Sequence, residues 1–192
     1  MNQLDLYLDS EVVLPYKMYI GKVQEKLLQL LSESRRPMDA PGYVKRLKQV
    51  SSSPEVLAAW NNSCPTIGDA IATFPNPYGG IIIVRGTPEL WSFMTGSRLT
   101  EGAIKLSGTA YDALGGLHVP GIKMMRKGQE QKSLEEEIFS YLGLEKEQFT
   151  ARKICFPKSR DYPYITLLGL SNSARVLGSS LLDEHDCLIG VK

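Results

Sequence analysis

Residues 79–86, GGIIIVRG, constrain the fold more than any other stretch. Ile81, Ile82, Ile83 and Val84 are all β-branched. Such side chains lose rotamer freedom in a helix and pack well on a pleated strand. Gly79 and Gly80 permit a bend before the run, and Arg85 and Gly86 close it. The pattern predicts a strand, and a strand demands a sheet. Strand-then-glycine either launches a catalytic loop or belongs to a structural ribbon. On the ribbon reading Ile81 and Ile83, or their alternates, bury one face, and Arg85 is a structural or surface residue.

Before this strand the chain reads as helical. In YKMYIGKVQEKLLQLLSESRR, Ile20, Val23, Leu27 and Leu30 recur at helical spacing. GYVKRLKQV gives Tyr43, Val44, Leu47 and Val50 one face of a second helix. SSSPEVLAAW carries a start signal: serine as N-cap, Pro54 at the first helical position and Glu55 beside it. Turn residues then flank a short apolar run in CPTIGDAIATFPNPYGG. After the strand, TPEL offers a helix start, but WSFM is short and TGSRLTEG is turn-rich, so the favoured expectation is a ribbon running on into AIKLSG. A glycine-rich, then basic connection covers residues 115–132, and SLEEEIFSYLGL predicts a helix with Ser133 as N-cap and Gly143 as its end. FTARKICFPK reads as a strand, PYITLLGLSNSARV as a short helix or turn, and DCLIGVK as a last strand.

The 192 residues are 43% hydrophobic, enough for a real core in one or two domains. No apolar run approaches the roughly 20 residues that span a bilayer. The opening MNQLDLYLDS lacks a basic patch followed by an apolar stretch, so no secretory signal is expected. Cys64, Cys155 and Cys187 are odd in number and far apart, which suits reduced thiols. Trp60 and Trp91 are expected in the core.

Net charge is +1, but its distribution is uneven. Between residues 17 and 48, Lys17, Lys22, Lys26, Arg35, Arg36, Lys45, Arg46 and Lys48 face three acidic residues, Glu25, Glu33 and Asp39. The connection adds Lys123, Arg126 and Lys127. These eleven cations are the candidate contacts to RNA or to an acidic partner.

Enzyme signatures are weak. The sequence holds no GxxxxGK[ST], HExxH or CxxC. In DEHDC, adjacent residues of an extended segment alternate faces, so the cluster does not converge on one metal. No cofactor, metal site or catalytic residue is expected. The enzymatic alternative is an ADP-ribosyltransferase-like fragment with Arg85 gripping a dinucleotide phosphate; LSNSARV and LLDEHD imitate that family's other motifs loosely.

Three runs in order, IIIVRGTPELW, RLTEGAIKLSGTAYDAL and YPYITLLGLSNSARVLGSSLLDEHDCLIGVK, resemble the end of the polymerase basic protein 2 subunit of orthomyxoviruses, in a thogotovirus-like form. The resemblance covers about residues 79–192. It implies an α+β chain: a helical cluster wrapped by a long β-ribbon over 1–114, a connection over 115–132, and a small nuclear-import-like α+β domain over 133–192. It further implies a non-catalytic part of a viral RNA-dependent RNA polymerase, acting in viral transcription and replication in the host nucleus and carried in the virion. The implied partners are other polymerase subunits, viral RNA bound weakly, and host acidic leucine-rich nuclear phosphoproteins. Importin-alpha is expected to bind weakly at best, because the basic cluster that follows the family's last strand is missing from this sequence. The family's host-range loop corresponds to WNNSCPTIG, which has no basic residue, so no host-range residue transfers.

Overall fold

The computed structural model describes residues 16–62, 65–75, 80–108, 153–154, 160–171 and 176–192. The class is α+β, as expected. Four helices and nine strands occur among these residues: β1 (Lys17–Lys22), α1 (Val23–Ser32), β2 (Arg36–Pro37), α2 (Ala40–Gln49), α3 (Pro54–Asn62), β3 (Thr66–Phe74), β4 (Gly80–Val84), α4 (Pro88–Gly96), β5 (Ile104–Lys105), β6 (Lys153–Ile154), β7 (Tyr164–Ser171), β8 (Val176–Ser180) and β9 (His185–Val191).

All nine strands join one sheet, in the order β1-β9-β3-β7-β8-β6, with β2 on β9, β4 on β3 and β5 on β7. The β-branched run is β4, antiparallel to β3 from Ala70↔Val84 to Phe74↔Gly80. Side chains alternate across β9. Leu188 joins a cluster with Val23, Leu27 and Leu30 of α1 and with Leu90 and Met94 of α4. Cys187 and Ile189 join Tyr43, Val50 and Trp60 of the α2–α3 side. Period-two alternation makes these the two faces of the sheet, each covered by helices. β3 is buried on both faces from Thr66 to Thr73, and the buried residues include Thr66, Thr73 and one carboxylate, Asp69.

Several local expectations change. Residues 17–22 are a strand, not the first turns of a helix: β1 pairs antiparallel with β9 from Lys17↔Gly190 to Lys22↔His185. Ile20, placed by spacing on the apolar helix face, is 59% exposed, while Val23, Leu27 and Leu30 are buried as expected. α1 starts at Val23 with Lys22 as its N-cap and no side-chain cap bond. Its first amides are satisfied by the distant turn before β9: Val23 N–H donates to Glu184 O at 3.1 Å and Gln24 N–H to Leu182 O at 2.9 Å. Residues 88–96, through which the ribbon was expected to run, form α4. Thr87 caps it by accepting from Leu90 N–H, with Pro88 at the first position. The PYITLLGLS segment is strand β7, not a helix or turn, because β3 pairs along one edge and β8 along the other. The expected helix at 133–143 and most of the FTARKICFPK strand lie outside the described residues.

The strands of residues 1–114 and 133–192 interleave in this sheet, since β9 lies between β1 and β3, and β7 lies beside β3. Residues 1–114 made alone lose β9, the partner of β1, and both β9 and β7 as partners of β3. That fragment should show no cooperative thermal transition by circular dichroism. A transition matching that of the full chain would contradict the sheet order.

Candidate functional site

The site begins with an irregularity in β3. Its register against β7 jumps between Thr66↔Gly169 and Ala70↔Leu167, so Ile67, Gly68 and Asp69 bulge out of the ladder. The groups freed by the bulge bind neighbouring segments. Gly68 N–H donates to Met38 O at 2.8 Å, and Gly68 O accepts from the Trp91 indole at 2.8 Å. Asp69 is completely buried. Its two carboxylate oxygens accept from Ala40 N–H and from Gly86 N–H, each at 2.7 Å. One carboxylate therefore ties the start of α2 to the segment that leaves β4. A negative charge at a helix N-terminus is favoured by the peptide dipoles. Asp39 caps the same helix, accepting from Gly42 N–H at 2.8 Å.

These ties shape a cleft of about 360 Å³, between β2, α2 and the end of β4. Arg36 enters from β2, Lys45 and Arg46 from α2, and Arg85 from the segment after β4. Exposed Lys192 lines it as well. Asp39 is the one carboxylate of this lining among the described residues. Tyr16 and Trp91 supply aromatic surface. Gly86 is needed for closeness: a Cβ there would meet Gly68 O at 2.6 Å.

Arg46 is the buried member of the set, at 7% exposure. Its guanidinium lies 5.2 Å from the centroid of the Trp60 ring and 5.6 Å from that of Tyr16. These aromatic faces stabilise a buried cation. Burial lowers its affinity for the proton, but guanidinium stays charged at neutral pH. Burial also raises the Tyr16 phenol above its ordinary value. Tyr16 and Trp60 meet edge to face at 5.3 Å, and Tyr43 Oη donates to Trp60 O at 2.5 Å, which fixes this wall.

Of the eleven sequence candidates, the fold brings Arg36, Lys45 and Arg46 together. Others are engaged elsewhere. Lys17 pairs with Glu33 at 2.5 Å, Lys22 with Glu25 at 3.8 Å, and Lys26 donates to Gln29 at 3.0 Å. Arg35 and Lys48 do not line the cleft. Lys123, Arg126 and Lys127 lie outside the described residues. Sequence reasoning missed Asp69 and the role of Arg85 in this set. A lone carboxylate inside IGDAIATF was the available signal for Asp69. Trp60 and Trp91 are buried, as expected. Among the described residues no group of acidic, histidine or cysteine side chains is placed to hold a metal.

No protein-family model matches the sequence, and no curated protein matches it. A solved structure described as "Accommodation of massive sequence variation in Nanoarchaeota by the C-type lectin fold" is similar to this chain at 14% identity. The match has a TM-score of 0.61 and covers 94% of this chain and 99% of the other. The likeness is one of fold.

Two outcomes test this geometry. Asp69→Asn retains one acceptor and confronts the second amide with an NH₂ group, leaving a buried donor unpaired at a cost of about 1–3 kcal/mol. Gly86→Ala forces backbone movement, at about 1–3 kcal/mol. Urea denaturation should show both losses. The Lys17–Glu33 pair gives a third outcome. Hydrogen bonds from Lys17 and Tyr19 hold the Glu33 carboxyl at about 2, against an ordinary 4.5. A depressed folded-state value stabilises above the unfolded value and is lost as the pH falls through the folded one. Glu33→Gln should therefore be less stable than wild type above pH 4.5, and the difference should close as pH falls from 4.5 to about 2.

Proposed function

We propose that this chain is a non-catalytic recognition module that binds an anionic ligand in the cleft between β2, α2 and the end of β4. The observation that carries the reading is the convergence of Arg36, Lys45, Arg46 and Arg85 on one cavity whose acidic member, Asp39, is engaged in capping α2. Like charges gathered from separate elements repel one another, and a bound anion relieves that repulsion. The similar structure is described as accommodating massive sequence variation on its fold. That description supports a scaffold whose binding surface changes while the sheet persists.

Acidic protein segments and RNA both carry the charge this cleft takes. The polymerase-subunit resemblance proposes partners of that chemistry, together with its finer picture of a helical cluster, a wrapping ribbon and an import-like unit. One observation favours the enzymatic alternative: Arg85 does line a cleft, as a dinucleotide-gripping arginine must. Saturable binding of nicotinamide adenine dinucleotide, with release of nicotinamide, would establish that alternative.

The binding reading is tested by charge reversal in pairs. Fluorescence anisotropy should follow displacement of a labelled anionic probe by tripolyphosphate, oligoglutamate and single-stranded RNA. Lys45→Glu with Arg85→Glu should weaken whichever anions bind by at least about tenfold, on the scale of one lost charge-assisted contact. Lys22→Glu with Lys26→Glu should change affinity less than about twofold, because exposed pairs contribute little. Equal losses in the two pairs, or no anion binding at all, would refute the proposal.

A further inference from the structure

The geometry points to a compact ligand bearing two or more linked phosphoryl groups, bound in this cleft as one molecule rather than as a stretch of polymer. The inference rests on the anion-binding reading above and names the ligand class of the same site.

Charge sets the first limit. Arg36, Lys45, Arg46, Arg85 and the exposed Lys192 stand against Asp39 in the lining and against the Asp69 carboxylate buried behind Gly86, a net of three positive charges. A carboxylate brings one negative charge and leaves most of that repulsion in place. A phosphoryl group carries roughly −1.5 to −2 near neutrality, so two linked groups match the site. Donor geometry sets the second limit. The amides of the two glycines that line the cleft are already engaged, Gly42 N–H by Asp39 and Gly86 N–H by Asp69. Recognition therefore falls to side chains. Arg36 and Arg85 present planar forks that grip two oxygens of one group, while Lys45 acts as a point charge.

Shape sets the third. A strand of nucleic acid needs a basic track along which successive phosphates lie. Here the cations come from three separate segments and close on a volume of about 360 Å³, near the lower end for small-molecule sites. The basic residues of β1 and α1 do not extend the cleft into a track. Lys17 and Lys22 are paired with Glu33 and Glu25, and Lys26 is bonded to Gln29.

Isothermal titration of the full chain at fixed ionic strength tests this, with orthophosphate, pyrophosphate, tripolyphosphate, oligoglutamate, and short and long single-stranded RNA as probes. Pyrophosphate is expected to bind one-to-one, at least about tenfold tighter than orthophosphate or oligoglutamate, the gain of a further charge-assisted contact. RNA affinity should not rise with strand length. Arg36→Lys should lose about tenfold for pyrophosphate, through loss of the fork, while the melting temperature stays within a few degrees of wild type. Lys45→Ala, on an exposed helix position, should weaken pyrophosphate and spare folding. Affinity that climbs with polymer length, orthophosphate binding as tightly as pyrophosphate, or full affinity in both variants would overturn the inference. If RNA or oligoglutamate wins and the Lys45/Arg85 reversal abolishes it, the anion site stands and the compact ligand falls. If no probe binds, both fall.

Discussion

A buried carboxylate organises this molecule. Asp69 sits in the middle of β3 with no exposure to water and accepts the amides of Ala40 and Gly86 through its two oxygens. A charge in such a place is costly unless hydrogen-bonded. Both donors belong to segments that carry the cleft's cations. The interaction that keeps Asp69 tolerable in the core is therefore the same one that holds α2 and the end of β4 around the cavity. Asp69 is a positioning residue: both of its oxygens are taken by backbone amides.

Opposed to that order is the repulsion among the cations it gathers. Arg46 is stabilised from beneath by the Tyr16 and Trp60 rings, and the other cations reach water. The sheet supplies the rigidity that keeps them close. β9 lies between β1 and β3, so the last of the described strands is locked beside the first of them. Met38 N–H donates to Ile189 O at 2.8 Å, which ties the segment between β2 and α2 to the same strand. Arg46, held by the two rings, is the preorganised cation of the set and avoids the ordering cost that flexible side chains incur.

Local signals were legible where they were self-sufficient. The β-branched run declared β4, and Pro54 with its serine N-cap declared α3. What the sequence concealed was long-range pairing. In KMYIGK, Ile20 fits helical spacing with Val23 and Leu27, yet β9 draws the segment into a strand. No capping side chain marks the start of α1, because backbone carbonyls of residues 182 and 184 do that work. YITLLGLS is apolar without clear period, and such a run is equally a buried helix turn or a buried strand until its neighbours are known. Of the cleft, the basic character of residues 36–46 was legible as composition. Its separation from Lys17, Lys22 and Lys26 depended on pairings to Glu33, Glu25 and Gln29 that charge counting does not resolve. Arg85 joined the site through the partnership of β3 with β4 and the bulge at Asp69, both tertiary facts.

The Asp69 carboxylate assembles the cleft. Amide hydrogen exchange of Ala40 and Gly86, followed by NMR in wild type and in Asp69→Asn, tests it most directly. Both amides should be strongly protected in wild type. In the variant at least one should exchange far faster, while amides of the β1–β9 ladder keep their protection. Exchange of Ala40 and Gly86 in the wild-type protein at the rate of an unstructured peptide, or protection unchanged in the variant, would contradict the account.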